Sequence, residues 1–391
     1  MDSPTQPDPG HALAPAALPD RSLRGRVLAF QARHQGKTML LFFVGGFIFD
    51  AVMLSRIDEP PMLIQQGAYL AVCGVLLALT QRLELKGLQP PARLRKAWHY
   101  VPHLIHFMLG TLLNAYTIFY FQSASGFTAV GFVVVICALL ALNELPRFQK
   151  LGPIVLYALY SICLTSYFAY LFPVLIGHIR PWMFYLAVVV ALVPLALHVS
   201  LLLRWSRSLG HVARHAALPA FGVQGAFILL YALRIAPPVP LAAKEMGIYH
   251  RVERLPDGRH LFHQKAGWRF WLQGDQEFRE RAGDRVYCFA RIFAPARFHD
   301  RIDIAWFHDD PRKGWVQYYR LPLSVSASGA RGFATDAFIT QPPPGRWRVE
   351  IQSEDGRTIG QLHFRVIPDA ETGERELEES VSSSERPAKK S

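Results

Sequence analysis

Seven apolar segments, each close to the length that crosses a bilayer, dominate the first 236 residues of this chain. They cover residues 38–55, 62–80, 100–121, 127–145, 152–176, 181–203 and 216–236. A helix needs about 20 apolar residues to span the hydrocarbon core of a membrane. One such segment can be a buried helix of a soluble protein, but seven in succession predict a membrane bundle. We therefore expect an α-helical transmembrane domain of seven helices over residues 38–236.

Lys and Arg residues are distributed unequally between the two ends of these segments. Fifteen of them lie on four alternate flanks: 21–37, 81–99, 146–151 and 204–215. Two lie on the three flanks in between: 56–61, 122–126 and 177–180. Because cytoplasmic loops carry the excess of basic residues, we expect a cytoplasmic N-terminus and, after seven crossings, a C-terminal region outside the cytoplasm. The net charge of +12 at pH 7 then reflects membrane topology and does not point to nucleic-acid binding.

From residue 247 onward, apolar and polar residues alternate, which is the period of a β-strand. Four runs show this pattern: 286–292, 302–306, 347–351 and 362–366. Asp355-Gly356 separates the last two runs and predicts a hairpin. Short strands of this kind over 247–367 predict an all-β immunoglobulin-like sandwich domain. Its largest expected core side chains are Trp306 and Trp347.

The segments around these two domains have polar or proline-rich compositions. We expect residues 1–37 to form a disordered, basic cytoplasmic N-terminus, 237–246 a proline-rich linker, and 368–391 a disordered tail. Four cysteines are too few for a disulfide scaffold of this length. Cys288 falls on an apolar strand face, so the sandwich is expected to be stabilised by packing alone.

Several short motifs in the β-region resemble a bacterial family called domain of unknown function 2914. They are Ala305-Trp306-Phe307-His308, Gly345-Arg346-Trp347-Arg348-Val349, Asp355-Gly356, Gly360 and Phe364-Arg365-Val366. The resemblance covers residues 268–367, and Phe49-Asp50 with Arg56-Ile57-Asp58 is similar to the multi-pass region that often precedes this domain. It implies a bacterial inner-membrane protein with an extracytoplasmic β-domain. It implies no activity and no functional residues, because the function of the family is not established.

Charged residues near the outer ends of the apolar segments are functional candidates, because ionisable groups in a bilayer are costly. Asp50 lies toward the outer end of the first segment, and Arg56 follows just outside it. Arg180 and Arg234 are expected at the same level. One interpretation is a proton or ion site. The other, which we favour, is an ion pair between Asp50 and one of the three arginines that holds helices together.

A second polar group lies toward the cytoplasmic ends of the segments. His103 and His106 are three residues apart and project from one helix face. Glu144 ends the fourth segment, and His198 lies near the inner end of the sixth. If these helices are neighbours, the group has the ligands to bind Zn²⁺ or another transition metal, or to ligate haem. We favour hydrogen-bonded interfacial histidines, with no metal and no cofactor.

Aromatic side chains in the β-region suggest a binding surface. Trp315, Tyr318 and Tyr319 lie on a run whose alternation is unclear, so they are the aromatic residues most suited to an exposed site. Together with Arg, such rings can stack on the sugar rings of envelope glycans. The sequence contains no nucleophile elbow, P-loop, Cys-x-x-Cys or HExxH motif, which argues against a standard enzyme.

These features predict a non-enzymatic, multi-pass inner-membrane protein that presents an extracytoplasmic sandwich to an envelope protein or glycan. Its other expected partner is the lipid bilayer, and no nucleic acid is expected. The alternative is a transporter or membrane-embedded enzyme that uses Asp50 or the His103 and His106 group. A polar cavity that reaches those residues would favour the alternative, whereas a solid apolar bundle would favour an anchor.

Overall fold

The computed structural model describes the chain between residues 60 and 381, with gaps. The described residues are 60–124, 126–143, 152–237, 239–256, 259–264, 274–294, 298–326, 333–371, 373, 375 and 377–381. The helices found in these ranges are α1 (Pro60–Lys86), α2 (Arg95–Trp98), α3 (Val101–Ser123), α4 (Gly126–Asn143), α5 (Pro153–Ile176), α6 (Pro181–Trp205) and α7 (Leu209–Ala232).

Among the described residues, five helices are long and apolar enough to cross a membrane. These are α1, α3, α5, α6 and α7. The shorter α4 has 18 residues and coincides with the predicted fourth segment. The first predicted segment, 38–55, and the N-terminal 1–37 lie outside the described residues. The count of seven membrane helices therefore remains a prediction.

Proline and glycine set the ends of several helices. Pro153 and Pro181 occupy the first turns of α5 and α6, where the missing N–H has no partner to lose. Gly177 ends α5 in the left-handed conformation, with φ of 82°, as is common for glycine after a helix. In α7 a wider π-turn at Ala213–Ala217 ends two residues before Pro219. It makes room for the proline ring, which would otherwise meet the carbonyl four residues earlier.

The second part of the chain is built from β-strands. Those described are β1 (Ala242–Tyr249), β2 (Arg251–Arg254), β3 (His260–Gln264), β4 (Glu277–Glu280), β5 (Arg285–Phe293), β6 (His299–Asp310), β7 (Gly314–Ser326), β8 (Phe333–Thr340), β9 (Gly345–Ser353), β10 (Thr358–Pro368) and β11 (Glu378–Val381). They form sheets of order β1-β5-β8, β4-β10-β9-β6-β7 and β11-β3-β2. Only the β4–β10 pair is parallel among the described pairings.

The three-stranded β1-β5-β8 sheet and the five-stranded sheet enclose a hydrophobic core between their facing sides. Trp306 and Trp347 are both 0% exposed, which confirms their predicted place in the core. Cys288 is buried in the same core, and Asp355-Gly356 lies in the turn between β9 and β10, as predicted. This strand order, with a parallel pair at the edge of the larger sheet, is that of an immunoglobulin-type sandwich.

Two predicted boundaries need correction. β1 begins at Ala242, inside the 237–246 segment expected to be a linker, because it pairs with β5 along its whole length. β11 lies inside the 368–391 tail expected to be disordered, and it pairs with β3. Arg375 holds the start of this tail by donating to Asp284 Oδ2 at 2.7 Å. Backbone pairing and ion pairs, which composition does not report, order these short polar stretches.

The sandwich is joined to the helices where α5 ends and α6 begins. The backbone N–H of His299 donates to the Gly177 carbonyl at 2.9 Å. Arg180 Nη2 lies 3.2 Å from Asp300 Oδ1, and the same guanidinium pairs with Glu354. These contacts tie the first residues of β6 and the β9–β10 turn to the α5–α6 connection.

A second joint connects the β9–β10 turn to the end of α7. Arg357 Cζ lies 3.7 Å from the ring centroid of Tyr231, and its Nη2 donates to the Tyr231 carbonyl at 3.2 Å. Tyr231 in turn stacks on Phe184 of α6, with ring centroids 3.8 Å apart. Arg357 Nε also donates to Asp355 Oδ2 at 2.7 Å. The two joints hold the same end of the sandwich, so its strands lead away from the helix ends.

Candidate functional site

The outer side of the five-stranded sheet carries aromatic and charged side chains at the end far from the helices. β6 is 12 residues long, so Asp310 lies roughly 37 Å along the strand from His299 at the helix joint. We call this end of the outer side the distal face. It comprises Phe307, Trp315, Arg346, Arg348, His363 and Arg365. These positions alternate along their strands with the core residues, so their side chains project from the opposite side of the sheet.

Arg348 is held between two aromatic rings on this face. Its Cζ lies 4.8 Å from the ring centroid of Phe307 and 4.8 Å from that of Trp315. Trp315 belongs to β7, yet its ring lies 5.7 Å from that of His363 on β10. The indole therefore lies across the sheet with one face on Arg348. The Trp315 residue remains 36% exposed.

An ion pair connects Arg348 to a partly buried hydrogen-bond network. Arg348 Nε lies 2.9 Å from Glu350 Oε1, and Glu350 is only 7% exposed. Gln352 Nε2 donates to Glu350 Oε2 at 2.7 Å, and Arg320 Nη2 donates to Gln352 Oε1 at 2.8 Å. Arg320 also donates to Asp303 Oδ2 at 3.3 Å. Because buried polar groups are costly when unpaired, this network restrains Glu350 and, through it, Arg348 and the indole.

An open depression of about 530 Å³ lies at the β6–β7 turn beside the distal face. It is lined by Asp309, Asp310, Pro311, Gly314, Gly345, Arg346 and Arg365. Arg346 donates to Asp309. Asp310 Oδ1 accepts the N–H groups of Arg312 at 2.8 Å and Lys313 at 2.9 Å. These hydrogen bonds lower the pKa of Asp310, so its carboxylate is charged at neutral pH and is engaged in the turn.

His363 borders the indole and is neutral at pH 7. Burial lowers the pKa of its ring, and the neighbouring Arg348 guanidinium acts in the same direction. The positive charge of the distal face at pH 7 therefore comes from its arginines and not from His363.

The structure separates the three aromatic residues singled out from the sequence. The ladder between β6 and β7 shifts at Tyr318, which is a β-bulge. A bulge changes the alternation of a strand, so Trp315 faces the outer side whereas Tyr319 faces the core side at the open edge of the sandwich. Tyr318 rests on Trp347, with ring centroids 5.0 Å apart. All three residues are exposed, but only Trp315 belongs to the distal face.

Five residues of the distal face were not predicted as site residues from the sequence. These are Phe307, Arg346, Arg348, His363 and Arg365. Their alternation with core residues was visible in the strands that became β6, β9 and β10. The bulge at Tyr318 was not visible, and it decides which aromatic side chain of β7 joins them.

The charged residues predicted near the outer helix ends have different surroundings. Arg180 is bound to two carboxylates of the sandwich. Arg234 is exposed just after α7 and has a φ of 59°. Asp50 and Arg56 lie outside the described residues. An ion pair of Asp50 with an arginine therefore stays a prediction.

The predicted histidine group is distributed over different helix surfaces. His198 of α6 is buried against α1, where its Nε2 lies 2.8 Å from the Gly74 carbonyl oxygen. On α3, His103 is exposed and His106 is partly buried. Glu144 lies outside the described residues. Within the described part of the chain, no group of three or more His, Cys, Asp or Glu side chains has the arrangement of a metal site.

Comparison with known proteins supports the resemblance of the β-region. Residues 299–366 match the model of a family described as Protein of unknown function (DUF2914). No curated protein matches the chain.

Solved structures with weak similarity to the chain include two from Pseudomonas species. One is an immunoglobulin-like protein from Pseudomonas aeruginosa, with 14% identity, a TM-score of 0.19, and coverage of 32% of this chain and 99% of that protein. The other is the Pseudomonas fluorescens alkylpurine DNA glycosylase AlkC bound to DNA containing an abasic site analogue, with 12% identity, a TM-score of 0.21, and coverage of 80% and 99%. Scores this low carry no argument about this chain. The segment from β6 to β10 thus resembles the DUF2914 family, whose function is unknown.

Proposed function

We propose that this chain is a multi-pass protein of the bacterial inner membrane whose sandwich lies on the extracytoplasmic side and binds an envelope glycan or protein through its distal face. One observation carries the proposal: the sandwich is joined to the helices at one end of its strands and exposes Trp315 near the other. A module fixed in this way presents its aromatic surface well away from the membrane.

The distribution of basic residues supports the extracytoplasmic side. The helix ends that contact the sandwich are those of the 177–180 connection and the end of α7. The opposite helix ends carry the basic loops 81–99 and 204–215. By the positive-inside rule, the basic ends are cytoplasmic, so the sandwich belongs on the other side.

Two features of the described helices support an anchor over a transport path. A groove of about 310 Å³ between α4, α5 and α7 is lined by glycine and apolar residues, including Phe132, Ile162 and Phe227. Close by, Gln224 Nε2 of α7 donates to Ser161 Oγ at 2.8 Å and to Thr165 Oγ1 at 2.6 Å. These polar side chains link α5 to α7, and such interhelical hydrogen bonds stabilise membrane bundles.

The orientation can be tested with a reporter enzyme that is active only outside the cytoplasm. Fused after Val381, so that β11 is kept, the reporter should be active. Inserted in the 81–99 loop, it should be silent. The reverse pattern would exclude the proposed location of the sandwich.

The binding role can be tested by introducing a photo-reactive amino acid in living cells. At position 315 it should cross-link to an envelope component on illumination. At position 251, where the Arg251 side chain is 67% exposed on the small β11-β3-β2 sheet, it should give no such product. No product at 315, or the same product at both positions, would contradict a binding role for the distal face.

A further inference from the structure

We propose that the distal face recognises a glycan that carries acidic sugars, with a sugar ring stacked on Trp315 and a sugar carboxylate paired with Arg365. This inference rests on the proposed function and names the class of ligand. It follows from the arrangement of charges around the depression and from the small area of the exposed aromatic surface.

Two arginines meet across the depression. Arg346 of β9 and Arg365 of β10 are directly opposite each other in the ladder, and both are exposed. Like charges in this position destabilise a sheet. An anion bound between them would remove that repulsion and would form charge-assisted hydrogen bonds with the guanidinium groups.

The nearby carboxylates neutralise only part of the positive charge of these two arginines. Asp309 pairs with Arg346, and Asp310 is held by the turn. Glu277 of β4 lies beside Arg365 in the sheet, but no ion pair joins the two among the described residues. Arg365 therefore keeps a guanidinium for a ligand. The exposed Arg312 and Lys313 of the turn add positive charge at the same edge.

The indole of Trp315 lies in the same row as the two arginines, so one ligand can contact all three side chains. Trp315 is opposite Asp309 in the ladder between β7 and β6, and Asp309 pairs with Arg346 on β9. Arg365, Arg346, Asp309 and Trp315 thus form one row across four neighbouring strands. Strands lie about 4.8 Å apart, so the row is roughly 14 Å long. A short oligosaccharide can contact the indole and the arginines of this row simultaneously.

A sugar suits this surface better than a protein does. The C–H groups on one face of a pyranose ring pack against an exposed indole, while its hydroxyl and carboxylate groups reach the surrounding polar side chains. A stable protein interface buries about 800 Å² on each partner and has a core that is more apolar than the rest of the surface. On the distal face, Trp315 is surrounded by Arg348, His363 and the arginines of the row.

The test compares one oligosaccharide in two charge states. Full-length protein is purified in a detergent without a sugar headgroup, and calorimetry measures the binding of tetragalacturonate and of its fully methyl-esterified form. The two probes share the sugar ring and differ in charge. We expect the acid to bind at least 10-fold more tightly than the ester at low salt, and the preference to decrease as salt is added.

Single substitutions test the carboxylate contact of Arg365 and the stacking on Trp315 separately. Arg365→Gln should remove the preference for the acid, because the neutral amide cannot pair with the sugar carboxylate. Trp315→Ala should weaken both probes at least 10-fold. Tyr319→Ala, on the other side of the same strand, and Arg251→Gln, on the small sheet, should bind like the wild type. Circular dichroism of each variant checks that it is folded.

Three results would overturn the inference. Equal binding of acid and ester would mean that charge is not recognised, although a neutral glycan would still satisfy the proposed function. A preference that survives Arg365→Gln would place the anion elsewhere. Binding of neither probe would exclude the acidic glycan, and a protein cross-linked at position 315 would then keep the proposed function with a different partner.

Discussion

Trp315 and Trp347 lie on the same sheet and have opposite surroundings. Trp347 is completely buried, and its Nε1 donates to the Pro343 carbonyl at 2.9 Å. Trp315 lies on the surface and is supported from below by Arg348. The same side chain therefore stabilises the fold at one position and provides a binding surface at the other.

Substitution should distinguish these two roles. Trp347→Ala should lower the free energy of unfolding by about 3–5 kcal/mol, because it empties a core site. That is a large part of a typical total of about 5–15 kcal/mol. Trp315→Ala should cost far less. Near-ultraviolet circular dichroism during heating measures both, and equal destabilisation would show that the inside and outside positions are assigned wrongly.

Gly74 lies at a contact between helices α1, α5 and α6. A Cβ atom at this position would lie 2.5 Å from Tyr160 Oη and 3.4 Å from His198 Cε1. The Gly74 carbonyl also lies 2.8 Å from the His198 ring. The absence of a side chain at Gly74 thus allows the three helices to approach each other.

Gly74→Ala should therefore destabilise the helical region. We expect a cost of about 1–3 kcal/mol from overpacking, seen as a lower temperature of aggregation in detergent. Gly131→Ala is the matched control, because a Cβ there meets no atom within 4 Å. Equal aggregation temperatures for the two variants would contradict the packing role of Gly74.

At the scale of elements, the β9–β10 hairpin connects the two parts of the molecule. One end of the hairpin contributes Arg346 to the distal face, and the turn at the other end places Arg357 on Tyr231. Arg357 is only 9% exposed. A guanidinium shielded from water in this way interacts more strongly with an aromatic ring than an exposed one does.

Arg357→Ala should loosen this joint. The loss of a desolvated cation–π contact costs about 2 kcal/mol, which corresponds to roughly 30-fold faster local opening. Hydrogen exchange of the 353–358 turn measures this change directly. Arg346→Ala, at the exposed far end of the same hairpin, should leave exchange at the turn unaltered. If both variants behave alike, Arg357 does not hold the joint.

At the scale of the whole molecule, the sandwich core continues as far as the helix connections. Leu241 lies in a core cluster with Ile302, Ile351 and Ile359, and Ile179 from the α5–α6 connection packs against it. The domain therefore needs residues that precede the predicted start at 247.

A fragment covering residues 241–381 should fold without the membrane helices. It retains β1, β11 and the core of both large sheets, and more than 100 residues suffice for an independent core. A fragment of 247–367 should melt at a lower temperature, because it lacks five of the eight residues of β1 and all of β11. A random-coil spectrum for the longer fragment would show that the helices are required for folding.

Patterns along the sequence were sufficient for the main architecture. The length of the apolar runs predicted membrane-spanning helices, five of which meet the length and hydropathy requirements in the described residues. Alternation predicted the β-sandwich and the burial of Trp306 and Trp347. These features depend on local periodicity, because each helix or strand must place its apolar residues on the side that is shielded from water.

Trp315 was a candidate from the sequence, but tertiary structure decided which residues surround it in the candidate site. The bulge at Tyr318 turns Trp315 toward Arg348, and pairing between distant strands places Arg346 beside Arg365. β11 and the joint at Arg357 also depend on partners far away in the chain. Sequence periodicity reports which face a residue occupies within its own strand. Which strands are neighbours, and in which register, is set by packing and backbone hydrogen bonding across the whole fold.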